Sequence, residues 1–538
     1  MRRRFFQPFS VAIFSVASCC CIGQCSAFQT ELTASPAVPW TVATSNLPQW
    51  NDEPANYDAT DSSAPQSVIQ KAAEPTVDGK PAVAPDADKK AAEEAEKKKK
   101  ELAKAVAGAY KDTFFDNNFA YLFNPDYTDW HLGENLKQLC APVGVVDFGG
   151  QTRLRYHDEQ NMRGLGLTGR DDDFLLYRTR LYANWKINSK WRVFSEFLYA
   201  DSIDEMFAPR GIEVQNFEPQ NLFIERQLWE SCGDTLKARV GRQEISLGSQ
   251  RLLSTLDWAN TRQTFDGVRF TLDNKHITSD VLWIRPVKHS FTEFDSSSLD
   301  KQVYGIFNTH KNFTPVKLDS YWLALEDAST DLSVHTLGGR VQTERDSLMT
   351  DLEGGVQVGR NPDGSSATNA AVTAGSGIKL SDQCWKPVLW AYYDWASGDD
   401  STGNGWNQLF PLAHKYLGFM DFYGRRNIND ANLLYTVQPN EKLTLLAWYH
   451  YFWLANGNDG PYNAPLTPFN PGGTVGSTDL GQEIDLLATY KLSIRSDVVF
   501  GYSHFFAGDY YETSTNAVAA PLFSGDADFY YIQWHRNF

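Results

Sequence analysis

Tyr530-Tyr531-Ile532-Gln533-Trp534-His535-Arg536-Asn537-Phe538 closes the sequence on an alternation of two faces. Counting back from Phe538, Trp534, Ile532 and Tyr530 make an aromatic and apolar set, while Asn537, His535 and Gln533 make a polar one. Successive side chains of a strand point to opposite faces. One face therefore suits lipid and the other a watery lumen, the dyad pattern of a membrane barrel. Arg536 alone breaks the outer face, and at a strand end its stem can lie on apolar surface while the guanidinium reaches the headgroups. A soluble edge strand is the alternative. The reading predicts an all-β, antiparallel transmembrane β-barrel in outer-membrane lipid, with a final strand that barrel-assembly machinery would read.

The opposite end of the chain points to export. Met1-Arg2-Arg3-Arg4 is a basic start, Phe9 to Ile22 is apolar, and Cys25-Ser26-Ala27 supplies small residues. This predicts a signal peptide over residues 1–27 and a mature start near Phe28. Val16-Ala17-Ser18-Cys19 also reads as a lipobox, ranked second because a barrel needs no lipid anchor. Four of the seven cysteines would leave with the signal. Cys140, Cys232 and Cys384 are too dispersed for a disulfide framework or a metal signature, and no cofactor or metal is expected.

Residues 28–111 are expected to be a periplasmic extension. As far as Asp88 the composition is Pro, Ala, Ser and Asp without apolar period, which predicts disorder. Lys89 to Ala109 is built of strong helix formers with mixed charge, which predicts a short solvated helix. It lacks the apolar seam of a coiled coil. From Phe115 the pattern is read as period two, which puts the barrel at residues 112–538.

No apolar run of 18 or more residues follows the signal, which excludes helical spans. Aromatic residues make up 14% of the chain, with 24 Tyr, 33 Phe and 16 Trp, as interfacial girdles require. The net charge of −17 argues against nucleic acid as a partner. Single strands are legible. Asp147, Gly149, Gln151, Arg153, Arg155 and His157 share a polar face against Phe148, Thr152, Leu154 and Tyr156. Arg178, Arg180, Tyr182, Asn184 and Lys186 do so against Tyr177, Leu181, Ala183 and Trp185. Arg192 and Glu196 oppose Trp191, Val193, Phe197 and Tyr199, and Glu483, Asp485 and Thr489 oppose Ile484, Leu486, Ala488 and Tyr490. Leu222 to Trp229 fits either phase. About 420 residues at about 22 to 25 per strand and loop give about 16 to 18 strands, wide enough for an aqueous channel.

The run Arg239-Val240-Gly241-Arg242-Gln243-Glu244-Ile245-Ser246-Leu247-Gly248-Ser249-Gln250-Arg251-Leu252 is followed by Asp257-Trp258-Ala259-Asn260-Thr261-Arg262 and Phe265-Asp266-Gly267-Val268-Arg269. With Thr336-Leu337-Gly338-Gly339-Arg340, Asp351-Leu352-Glu353, Tyr393-Asp394-Trp395-Ala396-Ser397-Gly398-Asp399-Asp400, His414-Lys415-Tyr416-Leu417-Gly418 and Gly481-Gln482-Glu483-Ile484-Asp485, it resembles the alginate-export family of outer-membrane channels. The resemblance covers about residues 145 to 538. It implies an 18-stranded barrel whose arginine-lined constriction passes an anionic polyuronate outward. The stretch from Phe28 to about Lys111 has no counterpart in the alginate exporter of that family.

The chemistry of such a passage can be read independently. Guanidinium binds carboxylate in a bidentate, always-charged fork, and several moderate sites in series let a charged polymer enter and leave. Arg153, Arg155, Arg178, Arg180, Arg192 and Arg269 fall on inferred lumen faces, with Arg239 and Arg340 beside them, so these arginines, with Glu196 and Asp485, are the candidate pore-lining and cargo-binding residues. The competing reading pairs the arginines with Glu196, Asp266, Glu353, Asp394, Glu483 and Asp485 as wall structure. Gly164-Leu165-Gly166-Leu167-Thr168-Gly169 fits GxGxxG, yet it lies between two strands with no βαβ setting and reads as a loop. The acidic runs Asp171-Asp172-Asp173 and Asp399-Asp400 read as solvated loops rather than Ca²⁺ sites. Ser503 with His504, and His289 with Ser290, are sequence neighbours that point to opposite faces of a strand and make no catalytic pair. The expected function is passive passage of an anionic polysaccharide, with a possible periplasmic export partner. The alternative is a porin for small anionic or uncharged solutes. No enzymatic activity is expected.

Overall fold

Period-two alternation becomes a closed wall in the computed structural model, which describes residues 85–538 apart from 165, 291–292, 314, 382–383 and 517–521. The expected signal peptide, Cys19 and residues 28–84 lie outside the described residues. Among those described, eighteen long strands form one antiparallel barrel. They are β1 (Val145–Gln160), β2 (Asp172–Lys186), β3 (Trp191–Ile203), β4 (Gln215–Ser231), β5 (Asp234–Gln243) and β6 (Phe265–Asp273). Next come β7 (Ile277–Lys288), β8 (Lys301–His310), β9 (Lys317–Asp327), β10 (Leu332–Arg345), β11 (Leu348–Arg360) and β12 (Ser366–Lys379). The series ends with β13 (Val388–Ala396), β14 (Ile428–Val437), β15 (Leu443–Trp453), β16 (Asp479–Ser493), β17 (Ser496–Ala507) and β18 (Ala527–Asn537). Each strand pairs with its neighbour in sequence, and β18 returns to β1 from Gln151↔Asn537 to Gln160↔Asp528. Closure leaves no strand edge unpaired, which the hydrocarbon core demands.

The faces fall as the alternation predicts. On β1, Asp147, Gln151, Arg153, Arg155 and His157 are buried while Phe148 and Tyr156 are exposed. On β18, Gln533 and His535 are buried while Tyr530 and Ile532 are exposed. Leu181, Trp185, Val240, Trp283, Leu337, Val356 and Phe500 also look outward, a surface that only lipid would solvate. The ambiguous Leu222 to Trp229 belongs to β4. Leu222 and Ile224 point out and Phe223 in, and the register of β4 against β5 shifts between Gln227 and Trp229, which is why no single phase fits.

Connections at one end of the barrel are short, among them residues 187–190, 232–233, 346–347 and 494–495. Connections at the other end include the long stretches 244–264, 397–427 and 454–478. Two of the long stretches fold inward and clasp each other. The Phe410 N–H donates to Leu252 O at 2.8 Å, the Ser254 N–H to Phe410 O at 3.0 Å, and the Leu412 N–H to Gln250 O at 2.9 Å. Their Ile245, Leu253 and Leu417 join Phe422, Phe452 and Phe505 in an apolar cluster, so the core lies inside the barrel.

Helix α1 (Pro85–Ala107) stands where the composition placed one. The stretch after it departs from expectation. Period two does not begin at Phe115, and the first barrel strand starts at Val145. Between them lie one-turn 3-10 segments at Phe114–Asp116, Ala120–Phe123 and Glu134–Leu136. The buried aromatics fall at Phe114, Phe115, Phe119 and Tyr121, a spacing that gives a strand no constant face. This segment enters the short-turn end of the barrel. Phe114 and Phe115 cluster with Tyr182, Phe194 and Phe223 of the inner wall.

Candidate functional site

Arg153 and Arg178 are direct cross-strand partners on β1 and β2, and Arg155 lies two positions along. Like charges directly opposite destabilise a sheet. Here the inward stretch 244–264 offsets the repulsion with its carbonyls. Arg153 donates to Asp257 O at 2.7 Å and to Ala259 O at 2.5 Å. Arg178 donates to the Asp257 carboxylate at 2.9 Å, to Gln151 at 2.7 Å and to Ala259 O at 3.2 Å. Burial opposes ionisation of Asp257, but Arg262, Arg178 and Arg153 hold it well below the usual carboxylate range.

Arg155 starts a column that reaches across the lumen. Its guanidinium lies 3.8 Å from the Trp258 ring centroid, and its Nε donates to Gln533 at 2.9 Å. Trp258 stacks on His414 at 3.6 Å with an interplanar angle of 8°. His414 stacks on Phe419 at 4.8 Å, and Phe419 meets Trp448 of β15 edge-on at 5.5 Å. Five side chains from two wall strands and two inward stretches thus form one continuous contact. A cavity lies on each side of it. The first is lined by Gln151, Arg153, Arg178, Tyr531 and His535, the second by His157, Glu159, Arg210, Glu213 and Asn260, and Arg155, Trp258 and Phe419 line both.

The remaining predicted arginines sit on wall carboxylates. Arg180 bonds Glu196 at 2.6 Å, Arg192 bonds Glu225 at 2.7 Å, and Arg239 bonds the same Glu225 at 2.6 Å. Arg269 bonds Asp280 at 2.8 Å and Arg340 bonds Asp351 at 2.7 Å. These follow the structural alternative, with partners mostly other than those proposed from sequence. Glu196 also accepts from Asn221 at 2.9 Å. Asp485, on β16, has a different task. It and Glu483 receive the backbone of the 397–427 stretch, the Phe419 N–H at 3.4 Å and the Met420 N–H at 3.0 Å. Gly418 lies against Glu483 with φ 82°, where a side chain would meet the carboxylate. Among the described residues neither Arg153 nor Arg155 has a salt-bridge partner. The structure thus brings Arg153, Arg155 and Arg178 together and distributes the others around the wall.

Trp258, His414, Phe419 and Arg262 were not singled out from sequence. Their signal was indirect: Asp257 to Arg262 and His414 to Gly418 carry family motifs in long stretches without period two. Such stretches are outside the wall and must pack somewhere else.

A closed eighteen-stranded barrel with an apolar outer surface and a charged interior is an outer-membrane channel. The sequence profile described as "Alginate export" matches residues 145–524, and the chain belongs to that family. Among solved structures, OccAB1 of Acinetobacter baumannii superposes with a TM-score of 0.50 at 12% identity, over 74% of this chain and 99% of that one. OpdO of Pseudomonas aeruginosa gives 0.49 at 14% identity, over 73% and 97%. At these identities the likeness is one of fold. No curated protein matches the sequence.

Proposed function

We propose that this channel passes an anionic, carboxylate-bearing polysaccharide of the alginate-like polyuronate kind, passively, with Arg153, Arg155 and Arg178 as the groups its carboxylates meet. The single observation that carries this reading is the arginine cluster at mid-lumen, where Arg153 and Arg155 are held by carbonyl, amide and aromatic partners rather than by a described carboxylate. Positive charge that a wall carboxylate does not cancel raises the local anion concentration in a narrow, low-dielectric passage. Arg180, Arg192, Arg239, Arg269 and Arg340 are then wall structure, and Glu196 and Asp485 position a guanidinium and a loop. The short-turn end, with residues 85–140, faces the periplasm in this reading and would meet an export partner there. β18 is the strand offered to the barrel-assembly machinery.

The column at Trp258 favours one second reading, a porin for small anionic or uncharged solutes, because a polymer must move that column aside. Bilayer recordings with polyuronate and with neutral dextran of equal length separate the two. Selective block by polyuronate is the expected result, and equal block by dextran overturns it.

A further inference from the structure

Residues 109–119 enter the barrel from its short-turn end and reach the arginine zone. Asp112 stands at the innermost point. Its carboxylate accepts from Arg262 at 2.9 Å and from the Thr255 hydroxyl at 2.7 Å, and its backbone carbonyl faces Arg180 at 3.4 Å. Phe114 lies under the Arg180 guanidinium at 4.0 Å, and Phe115 under that of Arg239 at 4.3 Å. The Phe115 carbonyl accepts from Arg192 at 2.6 Å. The chain is also tied to a neighbouring turn at the mouth, where Arg495 of the 494–495 turn donates to Val106 O of α1 at 2.8 Å and to the Tyr121 hydroxyl at 2.9 Å.

Arg262 faces three carboxylates, those of Asp112, Glu244 and Asp257. Two of them belong to its own stretch, 244–264. Only Asp112 arrives from elsewhere. If Asp112 withdraws, Arg262 keeps two partners and no buried charge is orphaned, so this contact can be released without the penalty that breaking a buried pair carries. An acidic residue set among guanidinium groups is also the feature a uronate chain would present, through its carboxylate.

We infer that Arg262 and Thr255 form a carboxylate subsite that the chain's own Asp112 fills, that residues 109–119, between the anchors at Val106 and Tyr121, are a releasable plug, and that uronate carboxylates displace it by competing for that subsite. The uronate half of this inference rests on the reading proposed above. The plug half does not.

The experiment uses the full chain in planar bilayers, with galacturonate as the probe. Phe114→Ala with Phe115→Ala, checked for a folded barrel by heat-modifiable migration, should raise conductance several-fold over the unsubstituted chain. Asp112→Asn, the milder variant, should raise the open fraction several-fold. Galacturonate added on the short-turn side should open the unsubstituted channel, galactose should not, and Asp112→Asn should respond much less. Equal conductance in the phenylalanine variant and the unsubstituted chain overturns the plug. Opening by galactose as well as galacturonate, or an undiminished response in Asp112→Asn, overturns the competition at the subsite. Equal block of the opened phenylalanine variant by dextran and polyuronate would remove the transport reading and leave the plug standing.

Discussion

Arg153 and Arg269 both project into the lumen from the wall, yet their surroundings give them different tasks. Arg269 is neutralised across the sheet by Asp280 at 2.8 Å. Arg153 is satisfied by carbonyl oxygens, which hold the guanidinium without cancelling its charge. Arg153→Glu with Arg155→Glu should therefore shift ion selectivity toward cations several-fold, measured by reversal potential under a salt gradient. The paired control Arg269→Gln with Asp280→Asn should leave the reversal potential unchanged; a shift of similar size there would mean that charge anywhere on the wall suffices. The same pair predicts a stability asymmetry. Arg269→Ala leaves Asp280 buried and unpaired and should cost about 3–5 kcal/mol, whereas the neutral double change costs clearly less. Urea unfolding of the refolded barrel in lipid vesicles reads the difference. Sequence alternation put Arg153 and Arg269 on inferred lumen faces, because facing is local. It did not say which would be neutralised, because the partner lies on another strand or in a distant loop.

A strand of this wall has two solvents, and each of its faces answers to one of them. Ile532 on β18 points outward and Gln533 inward. Ile532→Arg should cost about 2–4 kcal/mol, the range for a cation on the lipid face near the bilayer midplane. Gln533→Glu at the neighbouring position, which keeps an acceptor for Arg155, should cost much less, and equal losses in urea titrations would contradict the assigned faces. The inward stretches 244–264 and 397–427 obey neither solvent's alternation. They are held by backbone pairing with each other and by wall side chains, and they carry the column from Arg155 to Trp448. Trp258→Ala removes the ring on which both Arg155 and His414 stack. Conductance should at least double and anion selectivity should fall. Unchanged conductance would show that the column does not limit the passage.

As a whole molecule the channel is a closed ring of strands filled by its own loops and by a segment from before the first strand. Ring closure through β1 and β18 predicts heat-modifiable migration for the folded protein, and deletion of residues 527–538 should abolish it by leaving two unpaired edges in lipid. Chain length gave about 16 to 18 strands, and period two on β1, β2, β3, β16 and β18 was readable in the sequence, because side-chain alternation is set by neighbours one and two residues away. Helix α1 was readable for the same reason, since propensity is a property of adjacent residues. The lumen's contents were not. Arg153 meets Ala259 across 106 residues of sequence and Asp112 meets Arg262 across 150. Contacts of that range leave no periodic trace in either partner. Sequence by itself determined the wall, its two faces and the family. Only the tertiary structure decided which arginines stay unneutralised, where the column stands and that residues 112–117 sit inside the barrel, because each depends on groups that closure of the ring brings together.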